Sequence, residues 1–106
     1  MVREKTKVVN IRGMPEFGKG KGEVYIGDAT RSGRKRSIWY NPYHRLIRTH
    51  GREKVIEMYR EYIKTRPDLL NRLDELKGKT LGCWCRPLPC HGDVLVELIE
   101  KGEKGR

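Results

Sequence analysis

The sequence has no apolar run close to the roughly 18 residues that a membrane-spanning helix needs. Its first residues, MVREKTKVV, carry charges where a signal peptide would have its apolar region. The only three cysteines lie between positions 83 and 90, which is unlike the framework of a secreted disulfide scaffold. These absences predict an intracellular, cytoplasmic protein that does not bind membranes and whose cysteines are reduced or hold a metal.

Glutamine is also absent, while charged residues make up 36% of the 106 positions. This bias is typical of proteins adapted to heat, in which surface ion pairs are enriched. The formal net charge is +10, and residues 1–54 carry 14 Lys or Arg against 5 acids, whereas residues 55–106 carry 10 against 9. The basic first half favours an anionic ligand, a nucleotide or a nucleic acid as partner. The alternative is a solvated surface that serves solubility.

Three segments have the β-branched and apolar character of short strands: residues 7–12, 23–28 and 79–85. Between the first two lies GMPEFGKGKG. A loop of this length favours a wide hairpin over a parallel crossover, which usually needs about a dozen residues or more. Its GKGKG portion lacks the spacing of a phosphate-binding loop and is predicted to be a mobile basic loop.

Helices are predicted for most of the remaining chain. Asn41 is a candidate N-cap with Pro42 at the first helical position, and Gly51 interrupts the helix. Apolar stripes then predict one helix that ends near Arg66, a second that ends at Gly78 and a closing helix that stops at Gly102. The stripes consist of Val55, Ile56, Tyr59, Tyr62 and Ile63, of Leu69, Leu70, Leu73 and Leu76, and of Val94, Leu95, Leu98 and Ile99.

The order strand, strand, helices, strand, helix predicts a small α/β fold that forms a single domain over residues 1–106, with residues 1–6 and 102–106 frayed. We expect a mixed sheet of three or four strands with helices packed on it. Its second and third strands should be parallel and joined by a right-handed helical crossover. A Rossmann-like site, where the third strand hands over to the last helix, is expected in the C-terminal part.

The stretch GCWCRPLPCHGD, residues 82–93, holds the most chemically distinctive residues. Cys83 and Cys85 should point to the same side of a strand, with Trp84 opposite. Cys90 and His91 should open the last helix, where backbone amides bind anions and lower the pKa of a nearby thiol. This block is therefore a candidate anion or nucleotide pocket.

Two other interpretations of the block stay open. Cys83, Cys85, Cys90 and His91 supply the atoms of a Cys₃His zinc site, although adjacent ligands at Cys90 and His91 would strain a tetrahedron. Alternatively, the cysteines pack as small apolar residues, His91 caps the helix, and a disulfide forms if the source organism is hot.

The stretch 31–48, RSGRKRSIWYNPYHRLIR, interleaves basic residues with Trp39, Tyr40 and Tyr43. Positive charges can hold phosphates while aromatic faces stack bases. The alternative is that Trp39 and Tyr43 anchor the segment in the core. Asp28, at the end of the second strand, is a candidate to orient His91 or to bind a ribose hydroxyl, and a turn is the simpler role.

The block GCWCRPLPCHGDVL, together with VVNIRG, VYIG, WYNP and VIEMYREYI, resembles the family called domain of unknown function 4326 over residues 7–98. The resemblance implies a compact α/β domain found in phages, archaeal viruses, bacteria and archaea, so that a viral member would act in the host cytoplasm. It supplies no reaction. Family members resemble VYIGR before the NP motif, whereas this chain has VYIGDAT before Arg31.

These patterns predict a domain that binds a nucleotide or nucleic-acid phosphate around Cys90 and His91. The expected ligand-binding residues are Arg31, Trp39, Asn41, Arg86, Cys90, His91, Gly92 and Asp93. A structural zinc module, with zinc as cofactor, is one alternative. The other is a small enzyme with Cys90 as thiolate nucleophile, His91 as acid or base and the amides of residues 91–93 stabilising an anion. The sequence does not fix the oligomeric state.

Overall fold

Three short strands and four α-helices form the regular structure of the part that the computed structural model describes, residues 5–31, 33–84 and 88–104. The strands are β1 (Lys7–Asn10), β2 (Glu23–Tyr25) and β3 (Thr80–Cys83). The helices are α1 (Ile47–His50), α2 (Arg52–Lys64), α3 (Pro67–Leu70) and α4 (His91–Lys104). Short 3₁₀ turns cover His44–Leu46 and Leu73–Leu76.

The sheet has the order β1-β3-β2, and both outer strands run parallel to β3. The small α/β fold and the parallel pairing of the second and third strands are therefore confirmed. The predicted mixed sheet and the predicted hairpin between the first two strands are wrong, because β1 and β2 lie on opposite sides of β3 and point the same way. The Rossmann-like character of the site stays a prediction.

A single aromatic residue explains how so short a connection can cross the sheet. Phe17, in the loop between β1 and β2, is 5% exposed and lies against the face of β3 at Gly82. A Cβ atom at Gly82 would collide with the Phe17 ring and with Ile11. Since Phe17 and Ile11 cover this face directly, the connection needs no helix.

The opposite face of the sheet carries the main core. Leu81 and Cys83 of β3 point into it together with the buried faces of α2 and α4. The apolar stripe predicted for α2 is confirmed, since Val55, Tyr59 and Ile63 are buried. Tyr62, at the edge of the stripe, is half-buried against the core. The two helices thus cover one face of the sheet.

The helical elements differ in detail from the prediction. Asn41 accepts the amide of Tyr43 on its Oδ1 at 2.8 Å, but this bond closes a turn rather than capping a helix. The predicted N-cap at Asn41 is wrong, because the first helical turn begins at His44 with Tyr43 in the cap position. Gly51 interrupts the helix as expected, at φ 84°. The helix predicted before Gly78 is instead split into α3 and the 3₁₀ turn, because the amides of Arg72 and Glu75 bond to carbonyls three residues earlier.

The predicted fraying of the two chain ends is only partly within the described residues. The hydroxyl of Thr6 donates to the Leu76 carbonyl at 3.2 Å and accepts the Gly78 amide at 2.9 Å. α4 extends to Lys104, past the stop predicted at Gly102. The rest of the predicted fraying falls on residues 1–4, 105 and 106, outside the described ranges. Among the helices of the described ranges, none has the length and apolar character to span a membrane.

Candidate ligand-binding cleft

A cleft of about 490 Å³ opens where the parallel strands β2 and β3 end. We call it the sheet-edge cleft. Its walls come from the ends of β2 and β3, from the segment that follows β2, from the 3₁₀ turn before α1 and from the first residue of α4. Because all strands point the same way, their carboxyl ends meet at this edge, which is where open α/β sheets bind ligands.

Cys83 and Cys90 form the floor beneath the cleft. Their sulfurs lie 3.3 Å apart, well beyond the roughly 2.05 Å of a disulfide bond. Both residues are almost completely buried, at 1% and 2% exposure, and only Cys83 of the two lines the cleft. The Cys90 sulfur accepts the amide of Gly92 at 3.3 Å. Cys90 therefore lies behind the cleft wall.

Three of the four predicted zinc ligands, Cys83, Cys90 and His91, lie within the described residues. Cys85, together with Arg86, lies outside the described residues. Within those residues, no group of three or more His, Cys, Asp or Glu side chains is arranged to hold a metal ion. The Cys₃His zinc site, which needs Cys85, stays a prediction.

His91 lies at the inner end of the cleft and is 6% exposed. Its Nε2 lies 2.7 Å from the carbonyl oxygen of Ile26. A carbonyl only accepts hydrogen bonds, so Nε2 carries a proton. The imidazole edge also packs on the ring of Tyr59 at 5.0 Å, whose own hydroxyl donates to the Trp39 carbonyl at 2.7 Å. His91 thus joins α4 to the end of β2.

The first turn of α4 is capped from within. Asp93 accepts the amide of Cys90 on its carboxylate at 3.0 Å and donates its own amide to the Cys90 carbonyl at 3.0 Å. The amide of Gly92 already bonds to the Cys90 sulfur. Two of the three amides predicted to stabilise an anion therefore have acceptors inside the chain.

The outer side of the cleft carries an ion pair. Nε of Arg36 donates to Oδ1 of Asp28 at 2.6 Å, and the guanidinium lies 4.5 Å from the centre of the Tyr40 ring. The hydrogen bond from Arg36, followed by that from the Ala29 amide, lowers the pKa of Asp28 below its usual 3.8. The bond to Asp28 likewise raises the pKa of Arg36. Both groups are charged at neutral pH and half-exposed to solvent.

Tyr25 and Trp84 form an aromatic ridge at the strand ends. Trp84 is 43% exposed, its ring centre lies 6.3 Å from that of Tyr25, and its Nε1 donates to the Tyr25 hydroxyl at 2.9 Å. That hydroxyl donates in turn to the carbonyl of Asp28 at 2.6 Å. The hydrogen bonds hold an accessible indole beside the cleft.

The structure brings together only some of the predicted site residues. His91 and Asn41 line the cleft, whereas Trp39 is 3% exposed in the core, which confirms its alternative role as an anchor. Arg31 is exposed but is not among the described residues that line the cleft, and Cys90, Gly92 and Asp93 do not line it either. Arg86 lies outside the described ranges.

Two residues that line the cleft, Tyr25 and Trp84, were not predicted to bind a ligand. Arg36, Tyr40 and Arg45 were predicted only as members of the basic and aromatic stretch 31–48. The strand alternation that places Trp84 opposite Cys83 was the available signal for its exposure. The pairing of Arg36 with Asp28 had no such signal, because it depends on how the chain folds back after β2.

The fold and the cleft define a small parallel α/β domain with a ligand-sized hollow at the carboxyl edge of its sheet. The chain belongs to the family described as Domain of unknown function (DUF4326), whose model matches residues 9–101. It is similar to an uncharacterized protein of Acanthamoeba polyphaga mimivirus, at 36% identity over 94 residues that cover 77% of this chain and 70% of the relative. It is also similar to an uncharacterized 12.4 kDa protein from the nrdA-td intergenic region of Enterobacteria phage T4, at 35% identity over 55 residues, 48% of this chain and 51% of the relative. No solved structure matches.

Proposed function

We propose that this domain binds a nucleotide, or a nucleotide unit of a nucleic acid, in the sheet-edge cleft. The observation that carries the proposal is the meeting of a guanidinium, an exposed indole and a half-exposed carboxylate around one hollow of about 490 Å³ at the ends of parallel strands. Ligand pockets of this kind fall between about 300 and 1,000 Å³. Each part of a nucleotide has a complementary group there.

The phosphate would be held by arginine. Arg36 and Arg45 both line the cleft, and Asp28 is the one acid among its described lining residues. Arg36 is held by one bond to Asp28 and by its packing on Tyr40, so less side-chain freedom is left to lose on binding. Guanidinium groups bind phosphate through paired hydrogen bonds. This outer pair replaces the helix amides as the anion site.

The base and the ribose would be held by the groups next to Arg36. The exposed face of Trp84 can stack a base, a contact that tolerates any base type. Both described donors to Asp28, the Arg36 side chain and the Ala29 amide, bond to Oδ1. Oδ2 of Asp28 has no donor within the described part of the chain and can accept a ribose hydroxyl.

The enzyme alternative meets a geometric obstacle. Its nucleophile, Cys90, is 2% exposed and lies behind the cleft wall, and its base, His91, carries a proton on Nε2 for the Ile26 carbonyl. A reaction at Cys90 would first require α4 to shift. Binding without turnover is therefore the function that the geometry supports best.

Zinc remains a second candidate because the sulfurs of two predicted ligands, Cys83 and Cys90, lie 3.3 Å apart. Metal analysis of freshly purified protein tests it directly. One zinc per chain, with a melting temperature that falls when a chelator is added, would establish the structural zinc module. The nucleotide cleft does not depend on that outcome.

Titration calorimetry with nucleoside monophosphates tests the proposal. Arg36→Ala should weaken binding about tenfold or more, since a charge-assisted phosphate contact is worth about 1.5–3 kcal/mol. Arg72→Ala is the matched control, because Arg72 forms a similarly half-exposed pair with Glu75 at 2.8 Å, far from the cleft in the chain. The proposal is wrong if wild-type protein binds no nucleotide, or if both variants lose the same affinity.

A further inference from the structure

A second hollow, of about 840 Å³, lies on the other side of the aromatic ridge. We call it the loop groove, because the loop between β1 and β2 forms one of its walls. Tyr25 and Trp84 line both the loop groove and the sheet-edge cleft. The two hollows are therefore neighbours that share one ridge.

We propose that the ligand is a single-stranded nucleic acid of several nucleotides, which occupies both hollows and stacks a base on Trp84 where it crosses the ridge. The inference rests on the proposed function, because the sheet-edge cleft would hold one of the nucleotides. The loop groove would hold the strand on the far side of the ridge.

Positive charge continues across the ridge. Lys19, Arg34 and Lys35 line the loop groove, and Arg36 and Arg45 line the cleft. The corresponding acids are Glu23 and Asp28, so that five cationic side chains stand against two acidic ones. Lys19 also pairs with Glu16 at 2.8 Å. Basic side chains on both sides of the ridge can follow a phosphate backbone.

The acid in the loop groove already serves the fold. Oε1 of Glu23 accepts the amides of Gly18 and Gly20, at 2.9 and 3.2 Å, which holds the GKGKG loop in place. Lys35, by contrast, has no carboxylate partner within the described ranges. Its ammonium group is available to a phosphate.

The groove wall is fixed rather than loose. The guanidinium of Arg34 donates to the carbonyls of Phe17 and Met14, at 2.9 and 3.1 Å, and lies 5.0 Å from the centre of the Tyr25 ring. One arginine thus ties the loop to the ridge. The next residues along the chain, Lys35 and Arg36, contribute to different hollows and place a charge on each side of the ridge.

The exposed indole selects for single strands. A base must leave its stack to lie on the face of Trp84, which is easy in a single strand and costly in a duplex. An acidic polypeptide would satisfy the charges but would have no base to stack. The ridge therefore favours unpaired nucleic acid over either alternative.

Fluorescence anisotropy with labelled oligothymidylate of about ten nucleotides tests the inference, with thymidine monophosphate measured in parallel by calorimetry. The oligonucleotide should bind at least roughly tenfold more tightly than the monophosphate and show the steeper salt dependence. Lys35→Ala should weaken the oligonucleotide alone and lower its salt slope by about one unit, whereas Arg36→Ala should weaken both ligands. Trp84→Ala should cost about tenfold in oligonucleotide affinity, and Trp84→Phe, which keeps a stacking face, should cost less.

The outcomes separate the two proposals. Equal affinity for both ligands, or equal losses from Lys35→Ala on both, overturns the inference and leaves nucleotide binding in place. Binding of neither ligand overturns both. Equal affinity for a duplex of the same length, or for polyglutamate, also overturns the inference. A melting curve for each variant separates lost binding from lost folding.

Discussion

The two walls of the sheet-edge cleft use opposite kinds of residue for opposite purposes. Cys83 and His91 line the inner wall, and Cys90 lies behind it. These sulfur and imidazole groups are buried and hydrogen-bonded within the chain. The outer wall, Asp28 and Arg36 with the aromatic residues beside them, is half-exposed. The residue types with the greatest intrinsic reactivity thus hold the framework, and ordinary surface residues line the open side of the cleft.

The size of the sheet explains this division. β2 has only three residues and ends opposite Gly82, one residue before β3 ends. The His91 imidazole donates to the carbonyl of Ile26, just beyond β2, which supplies a buried polar group with the partner it needs. Thiols are small enough to fill the space beneath α4. In this small sheet, Cys83, Cys90 and His91 therefore serve to attach α4 to the strands.

Replacing the buried imidazole should have the largest effect. His91→Ala leaves the Ile26 carbonyl without its donor and opens a cavity beside Tyr59, so we expect a loss of about 2–4 kcal/mol in the free energy of unfolding. Denaturant titration followed by far-UV circular dichroism measures it. At temperatures where the variant remains folded, its affinity for nucleotide should change much less than its stability.

His44 provides the matched control, because it lines the same cleft but is exposed. His44→Ala should change the free energy of unfolding by less than about 0.5 kcal/mol. If His91→Ala leaves stability intact and abolishes binding instead, the inner wall faces the ligand and the division between the walls does not hold.

The sequence predicted the helix α2 better than it predicted how the strands are arranged in the sheet. The apolar stripe of α2, with Tyr59 at its centre, is a local pattern with a helical period, so it can be predicted without knowledge of distant contacts. The hairpin between β1 and β2 was predicted wrongly, because loop length was the only local signal for how these two strands are arranged. The deciding contact, Phe17 on the face of β3 at Gly82, joins residues 65 positions apart and has no local signature.

The strand end predicted to hold a site does border a cleft, and of the predicted ligand-binding residues that the structure describes, Asn41 and His91 line it. Of the two tryptophans, Trp39 lies in the core and Trp84 lies on the surface. Alternation along β3 separates Trp84 from the buried Cys83, whereas Trp39 is buried by packing in the same core cluster as Tyr59, twenty positions further along the chain. Arg36 joins the cleft only because its segment returns to Asp28.

A second test concerns the close approach of α4 to the sheet. A Cβ atom at Gly92 would lie 2.9 Å from side-chain atoms of Ile26 and Val8, so Gly92→Ala should force the helix outward. We expect a loss of about 1–3 kcal/mol in the free energy of unfolding, the usual cost of overpacking. Thermal melts and denaturant titration measure it.

The control for Gly92→Ala is Gly20, in the loop between β1 and β2. At Gly20 an added Cβ would meet only the flexible carboxylate end of Glu23, at 3.2 Å, so Gly20→Ala should be nearly neutral in stability. If both substitutions lowered the free energy of unfolding equally, close packing would not be confined to the contact between α4 and the sheet.

The smallest expected effect on stability comes from a comparison of two carboxylates, Glu97 and Asp28, each of which pairs with an arginine. Glu97 joins α4 to α2 through two bonds from Arg60, both at 3.1 Å, and the hydrogen bonds from Arg60 hold the pKa of Glu97 below 4.5. Because the pKa of Glu97 is lower in the folded state than in the unfolded state, this carboxylate stabilises the protein at pH values above its unfolded-state pKa. That stabilisation is lost as the pH falls through the folded-state pKa.

Glu97→Gln should therefore cost about 0.5–1 kcal/mol at neutral pH, the range for partly exposed ion pairs, and should flatten the fall in stability below about pH 4.5. Denaturant midpoints measured between about pH 3 and 7 test both expectations. Asp28→Asn is the comparison from the outer wall, where the partners are half-exposed and join no two helices. It should change the midpoint less at every pH. If Asp28→Asn costs as much stability as Glu97→Gln, the ion pair between Asp28 and Arg36 stabilises the fold as well as lining the cleft.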